Sequence, residues 1–157
     1  MFMMLWGIII VLIVALDRVT KLLVVKNFAI GDSLMVINGF FYLTYTENKG
    51  AAMGILQNAR YVLIALTILV SLFLLYYLNK AEDRMLKLVF SLILGGAGGN
   101  LIDRIFRGSV VDFLDFRFGS YHFYIFNIAD TFVVIGTILL AYYLLFVYKE
   151  KGREKLL

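Results

Sequence analysis

Four long apolar segments make up most of the chain and restrict what it can fold into. They cover approximately residues 3–25, 61–78, 86–105 and 128–148. Each has close to the length of about 20 apolar residues that a helix needs to cross a bilayer. Because 62% of the residues are hydrophobic and the mean hydropathy is +0.91, one soluble core could not hide this apolar surface. The sequence predicts an all-α polytopic membrane protein with four transmembrane helices, forming one integral membrane domain over residues 1–157.

The first apolar segment is predicted to be retained as a membrane span. It lacks the basic start and the A-x-A-like cleavage site of a signal peptide. Its charged residues, Asp17, Arg18 and Lys21, follow the apolar stretch instead of preceding it.

Most of the net charge of +4 lies in two basic runs, one between the second and third segments and one in the tail. Basic loops next to membrane spans stay in the cytoplasm, so we expect both termini there too. Residues 26–60 and 106–127 are then expected on the outer side. This topological reading leaves no reason to expect a nucleic-acid partner. The two runs are Lys80, Arg84 and Lys87, and Lys149, Lys151, Arg153 and Lys155.

The first outer segment has the composition of a small sheet. Residues 40–46 are aromatic and β-branched, which is typical of a strand. A second short run, Ser33 to Ile37, lies between the turn signals Gly31-Asp32 and Asn38-Gly39. We expect this sheet to rest on the outer membrane surface, with its aromatic side chains in the headgroup layer.

Several polar residues lie within the apolar segments, where each needs a physical reason. Asp17 and Lys21 are four residues apart, so they can form an ion pair that is either purely structural or supports a site between helices. Asn100, Asp103 and Arg104 share one helix face, which we expect to point inward. The glycine-rich run before them, residues 95–99, is explained by close helix packing.

Two further aspartates suggest acid–base chemistry. Asp112 follows two valines, and Asp130 opens the fourth apolar segment. If the two meet, one proton is shared and one carboxyl becomes a better acid than the other. One carboxylate can then activate water while the other polarises a carbonyl group. Taken singly, Asp112 is equally compatible with a loop position and Asp130 with a helix N-terminus.

Other kinds of site find no support in the sequence. It contains no cysteine, and a single histidine, His122, makes a poor metal site. The glycine run lacks the Lys-Ser/Thr ending of a phosphate-binding loop. Asp115, Arg107 and Arg117 are interpreted as interfacial charges on a solvated loop. We therefore expect neither a metal nor a cofactor.

Together these residues resemble the lipoprotein signal peptidase (signal peptidase II) family. The resemblance covers nearly the whole chain and rests on five short blocks in the order typical of the family. One departure is Met53, where many relatives are expected to have an aromatic residue that lines the pocket. The blocks are Asp17-Arg-Val-Thr-Lys21, Asn48-Lys-Gly50-Ala-Ala, Gly95-Gly-Ala-Gly-Gly-Asn100-Leu-Ile-Asp103-Arg104, Val110-Val-Asp112-Phe113 and Phe126-Asn127-Ile-Ala129-Asp130.

The resemblance implies an architecture and an activity. The four helices would carry an extracytoplasmic β-cradle and a second extracytoplasmic loop or helix. The enzyme would be an aspartic endopeptidase of the bacterial cytoplasmic membrane, with its active site near the outer surface. It would cut prolipoproteins on the amino side of a diacylglyceryl-modified cysteine. Its partners would be that substrate and membrane lipid, and a monomer should suffice.

The resemblance also implies roles for individual residues. Asp112 and Asp130 match the catalytic pair. The positions that line the substrate site match Asn48, Gly50, Asn100, Arg104 and Asn127, and those that support it match Asp17, Lys21, Asp103 and Ala129.

Two other functions remain as alternatives. A small proton-coupled carrier would also have intramembrane acids and interrupted helices, but it would place them near the midplane. A non-enzymatic assembly subunit would use its polar residues only to join helices. Replacing the aspartates by asparagine would then cost stability instead of activity.

Overall fold

The computed structural model describes residues 2–51, 55–119 and 121–148. The basic tail from Lys149 onwards and the departure at Met53 lie outside these residues. In chain order the elements are α1 (Phe2–Asn27), β1 (Ser33–Ile37), β2 (Phe41–Asn48), α2 (Arg60–Lys80), α3 (Arg84–Phe106), β3 (Val110–Phe118), β4 (Tyr121–His122) and α4 (Ile128–Tyr142), and a π-helical turn (Tyr143–Val147) continues α4.

The long helices match the four apolar segments to within a few residues. Among the described residues, three helical stretches are long and apolar enough to cross a membrane: Arg60–Lys80, Arg84–Phe106 and Ile128–Val147. The remaining helix, α1, has 26 residues. Asp17, Arg18 and Lys21 interrupt its apolar sequence.

Helix α3 is the centre of the bundle and packs against α1, α2 and α4. Its glycines allow this close approach. A Cβ atom on Gly95 would lie 2.8 Å from Cβ of Ile13 in α1, and one on Gly96 would lie 2.3 Å from the carbonyl oxygen of Ala129 in α4. Both distances are too short for a side chain, so these positions require glycine for packing.

The strands form one antiparallel sheet in the order β1-β2-β3-β4. Strand β3 pairs with β2 so that Asp112 lies opposite Thr46, and Val110 lies opposite Asn48. A buried cluster of Val24, Tyr45, Val111 and Phe113 joins the end of α1 to this sheet. The helices thereby hold the sheet, and with it Asp112, against one end of the bundle.

The second outer segment differs from expectation. It was expected to be a loop or helix, but residues 110–118 form strand β3 in the middle of the sheet. The all-α description therefore applies only to the helical bundle. Alternation of apolar and polar residues from Leu114 to Phe118 is the strand signal that the sequence contained.

The interpretation of Asp115 and Arg117 as solvated loop charges was wrong. Asp115 is buried in β3, and Arg117 Nη2 lies 2.5 Å from its Oδ2 atom. Thr44 donates a further hydrogen bond of 2.7 Å from β2. Although burial alone would raise it, these bonds and the Arg117 charge hold the pKa of Asp115 below its usual value. A buried charge needs such partners, and they account for a carboxylate at this buried position of β3.

Candidate active site

Asp112 lies in strand β3 with only 2% of its surface exposed. Both carboxylate oxygens accept hydrogen bonds from side-chain amides. Asn127 Nδ2 donates to Oδ1 at 2.6 Å, and Asn48 Nδ2 donates to Oδ2 at 3.1 Å. Burial, and next the negative charge of Asp130, raise the pKa of Asp112 to about 7, against the opposing effect of the two amide bonds. Near neutral pH, Asp112 can therefore hold or release a proton.

Asp130 lies in the first turn of α4, where it forms a reciprocal cap with Asn127. The Asp130 backbone N–H donates to Asn127 Oδ1 at 2.9 Å, and the Asn127 N–H donates to Asp130 Oδ2 at 3.2 Å. This pairing satisfies two N–H groups that a helix start leaves without intrahelical partners. From α3, Asn100 Nδ2 donates to Asp130 Oδ1 at 2.7 Å.

Asn127 is the common partner of the two aspartates. Its amide nitrogen binds Asp112, and its amide oxygen and backbone bind Asp130. Both aspartates also line one cleft of about 850 Å³. The structure thus brings together two carboxyl groups from a strand and a helix, which the sequence alone left separate.

The other residues predicted to line the substrate site also meet here. Asn48, Asn100 and Arg104 line the same cleft. Arg104 Nη2 donates to the carbonyl oxygen of Gly50 at 2.9 Å, and the Gly50 N–H donates to Asn48 Oδ1 at 2.9 Å. The segment after β2 is therefore held against the end of α3 at the edge of the cleft.

One wall of the cleft is apolar, and none of the sequence motifs includes it as a whole. It consists of residues on α4 and on the segment that precedes it. The aromatic-rich stretch before α4 was the sequence signal for this wall. It does not show which side chains of the stretch and of α4 point into the cleft. The main wall residues are Phe123, Ile125, Phe126, Val133 and Val134.

The predicted supporting residues form a separate cluster between the helices. Lys21 Nζ lies 2.8 Å from Asp17 Oδ2 and 2.9 Å from Asp103 Oδ2. Asp17 Oδ1 accepts the backbone N–H of Ala129 at 2.9 Å. Asp17, Lys21 and Asp103 are buried. This cluster fixes the start of α4, and therefore Asp130, relative to α1 and α3.

Arg18 also belongs to this cluster, although it was not among the predicted supporting residues. It forms an ion pair with Asp103 through Nη1 and Oδ1. Two acids and two bases therefore balance in charge. In the sequence, the position of Arg18 next to Asp17 was the only indication of this role.

Within the described ranges, no three acidic or histidine side chains are grouped so that they could hold a metal ion. The chemistry that the cleft itself offers is that of two carboxyl groups, amide donors and one guanidinium group.

Comparisons with a family model, with related sequences and with solved structures all identify the same protein family. The family model for signal peptidase (SPase) II matches residues 9–146. The lipoprotein signal peptidase of Bacillus pumilus (strain SAFR-032) is 49% identical over 139 residues, which cover 87% of this chain and 90% of the relative. The lipoprotein signal peptidase of Clostridium tetani (strain Massachusetts / E88) is 49% identical over 150 residues, with 94% of each chain covered.

Solved structures agree with this result. A bacterial membrane enzyme determined by the in meso method at 2.3 Å resolution superposes with a TM-score of 0.87 at 39% identity, over 92% of this chain and 89% of that one. A second such structure, at 1.9 Å resolution, gives a TM-score of 0.84 at the same identity, over 92% of this chain and 95% of that one. With its apolar helices, this chain is a membrane-embedded protein, and it belongs to the signal peptidase II family.

Proposed function

We propose that this protein is a membrane aspartic endopeptidase that removes the signal peptide from prolipoproteins, cutting on the amino side of the diacylglyceryl-modified cysteine. One observation carries the proposal: Asp112 and Asp130 converge on Asn127 in a cleft with an apolar wall. Like charges held this close do not both ionise easily, so the pair retains one proton. That is the protonation state in which one acid and one base act together.

The proposed reaction uses this single retained proton. The ionised carboxylate removes a proton from water, and the resulting hydroxide attacks the scissile carbonyl carbon. The protonated carboxyl donates its proton to the carbonyl oxygen, which gives a neutral tetrahedral diol. Proton transfer to the leaving nitrogen then breaks the carbon–nitrogen bond. The products are the carboxyl end of the signal peptide and the amino group of the modified cysteine.

Polar groups around the pair would hold the peptide. An extended backbone in an apolar setting needs partners for its N–H and C=O groups. Donors and acceptors that face the cleft come from Asn48, Asn100 and Arg104, while Asn127 and Gly50 fix their positions. The guanidinium of Arg104 has five N–H donors, and one hydrogen bond to Gly50 leaves others for a substrate.

The apolar wall fits a substrate that carries lipid. Phe126, Val133 and Val134 face the cleft, and Val134 is also exposed on the outer surface of α4. A diacylglyceryl group could therefore reach the carboxyl pair from the bilayer without crossing water. We propose that the wall binds this lipid.

The proposed topology has four membrane spans within a single domain, with α1 as the fourth. The basic residues Lys80, Arg84 and Lys87 flank the turn between α2 and α3, which supports a cytoplasmic location for this turn. Both termini would then be cytoplasmic, and the sheet and cleft would lie at the outer surface of the bacterial inner membrane. One chain supplies every group of the proposed site, so we propose a monomer.

The position of the acids does not favour the carrier alternative. Asp112 lies in a strand outside the helices, and Asp130 lies in the first turn of α4. A carrier would place its acids near the middle of the spans.

Substitution of the pair tests the proposal. Purified Asp112→Asn and Asp130→Asn variants are incubated with a diacylglyceryl-modified prolipoprotein and with its unlipidated twin. We expect the unaltered enzyme to cut only the lipidated substrate, and each variant to lose at least ~10³-fold in kcat/KM, because loss of a group in a catalytic unit costs this much or more. The matched control is Asp115→Asn, the next acid along β3, which should retain cleavage.

Two results would refute the proposal. One is normal cleavage by either variant of the pair. The other is a thermal unfolding temperature that falls in both variants as their activity falls. The two aspartates would then be needed for stability, as the assembly-subunit alternative requires.

A further inference from the structure

Lys21 connects the buried ion cluster to the cleft. Its side chain is 1% exposed, and its ammonium group has three acceptors. Two are the carboxylates of Asp17 and Asp103. The third is Asn100 Oδ1, at 2.8 Å. An ammonium group can only donate, and here it donates to a residue that contacts Asp130.

This contact fixes which way the Asn100 amide points. The oxygen and nitrogen of an amide exchange places by a half turn, so only the hydrogen-bond network orients them. Lys21 can only donate, and therefore it must face the oxygen. Asn127 Nδ2 also donates to that oxygen, at 3.1 Å. The Asn100 nitrogen is left to donate to Asp130, as observed.

The two aspartates consequently differ in their donors. Asp130 accepts an N–H from Asn100, whose orientation Lys21 fixes, and a backbone N–H at the positive end of helix α4. From the described residues, Asp112 accepts hydrogen bonds from side-chain amides alone, and it lies in a strand. Fixed donors and a helix start favour the ionised form of Asp130 over that of Asp112.

We propose that Lys21 is a positioning residue which, by orienting the Asn100 amide, makes Asp130 the ionised member of the pair and leaves the shared proton on Asp112. This inference rests on the proposed function, because it assigns the base and the acid within the same reaction. Asp130 then activates water, and Asp112 donates to the carbonyl oxygen.

Of the other charged groups near the pair, Arg104 adds to this asymmetry, because its charge interacts more strongly with Asp130 than with Asp112. Asp17 on α1 and Asp103 on α3 are neutralised by Lys21 and Arg18. Arg104 on α3 is hydrogen-bonded to Gly50 and faces both aspartates. Glu47 on β2 is paired with Arg107 and accepts a hydrogen bond from Ser109.

The test removes the Lys21 contact without leaving a buried charge unpaired. Lys21→Met alone would leave Asp17 without a cation, and such a variant can fail to fold. The double variant Asp17→Asn/Lys21→Met removes one acid and one base. Asn at position 17 can still accept the Ala129 N–H, and Asp103 retains Arg18. The reference is Asp17→Asn, which differs from the double variant only at Lys21. Its thermal unfolding temperature is measured as well, because Lys21 and Arg18 then share the single carboxylate of Asp103.

We would measure kcat/KM against pH with the lipidated substrate. The fall of kcat/KM at low pH, which is the acid limb of the profile, reports protonation of the base in the free enzyme. Relative to Asp17→Asn, we expect the acid limb of the double variant to move up by about one pH unit, the effect of losing a nearby favourable partner. Activity on that limb should fall about 10-fold at fixed pH. The charge-balanced variant Arg18→Met/Asp103→Asn, which keeps the contact of Lys21 with Asn100, should leave the limb in place.

A second variant makes the test independent of the ion cluster. Asn100→Ala keeps all four charges and removes only the amide, so its acid limb should move in the same direction. The proposal is overturned if the acid limbs of both Asn100→Ala and the double variant stay at their reference positions. That result would leave the carboxyl pair intact as the reaction centre, whereas cleavage by Asp112→Asn or Asp130→Asn would refute the proposed function itself.

Discussion

The protein contains two groups of buried acids, and they differ in the partners of their carboxyl groups. In the ion cluster between the helices, Asp17 and Asp103 are each within 3 Å of Lys21, and Arg18 completes the charge balance. In the cleft, Asp112 and Asp130 accept hydrogen bonds from neutral amide and backbone donors. Within the part of the chain that the structure describes, the first group has cations as direct partners and the second has none.

The difference separates a structural role from a proposed chemical one. A buried carboxylate with a cation beside it forms an ion pair that holds its neighbours in place. A buried carboxyl group facing another acid takes up a proton near neutral pH, as the pKa of about 7 for Asp112 indicates. The following predictions test whether the two groups really differ in this way.

The largest expected effect on stability is in the ion cluster. Asp103→Asn leaves Lys21 and Arg18 with a single carboxylate, Asp17, so the helices must hold an unbalanced positive charge. We expect a loss of stability on the order of 3 kcal/mol, seen as a lower thermal unfolding temperature in detergent. Asp112→Asn at pH 8 should not be destabilised. Equal losses in the two variants would show that both groups are structural.

A pH-dependent effect should come next, and it belongs to the cleft. Because the pKa of Asp112 is about 7 in the folded protein and near 3.8 when unfolded, the folded state binds the extra proton between these values. Its contribution to stability is complete below about pH 4 and falls as pH rises, by about 1.4 kcal/mol per unit, until the group is ionised above pH 7.

Asp112→Asn has no such titration, so its unfolding temperature relative to the unaltered protein should rise between pH 5 and pH 8. Asp115→Asn is the control. The pKa of Asp115 is held below its usual value, and its difference from the unaltered protein should stay constant over this range. A flat difference for Asp112→Asn as well would contradict the protonation assigned to the cleft.

The smallest effect concerns the packing that shields the ion cluster. A Cβ atom on Gly99 would lie 2.4 Å from Asp17 Oδ2, whereas one on Gly98 would lie 3.2 Å from Cγ2 of Val14. Gly99→Ala should therefore cost roughly 1–3 kcal/mol. Gly98→Ala should be close to neutral, since Val14 can shift slightly and alanine favours the helix. Equal unfolding temperatures would mean that the cluster tolerates displacement of Asp17.

Much of the helical bundle could be predicted because hydropathy and segment length are local properties of the chain. The four apolar segments correspond to α1, α2, α3 and the α4 region, and the strand runs correspond to β1 and β2. Strand β3 was missed because its alternating residues were interpreted as an exposed loop. Whether Asp115 is solvated or buried depends on Thr44 and Arg117, and therefore on strand pairing that no local pattern specifies.

By itself, the sequence determined that the chain enters a membrane, which segments are helical, and which residue types are available for chemistry. Only the tertiary structure decided how these residues meet. It placed Asp112 beside Asn127, and it joined Asp17 to the backbone of Ala129, 112 residues further along the chain. The physical reason is that hydrophobic burial acts on each segment separately, whereas the environment of an acid depends on donors and charges brought from distant segments.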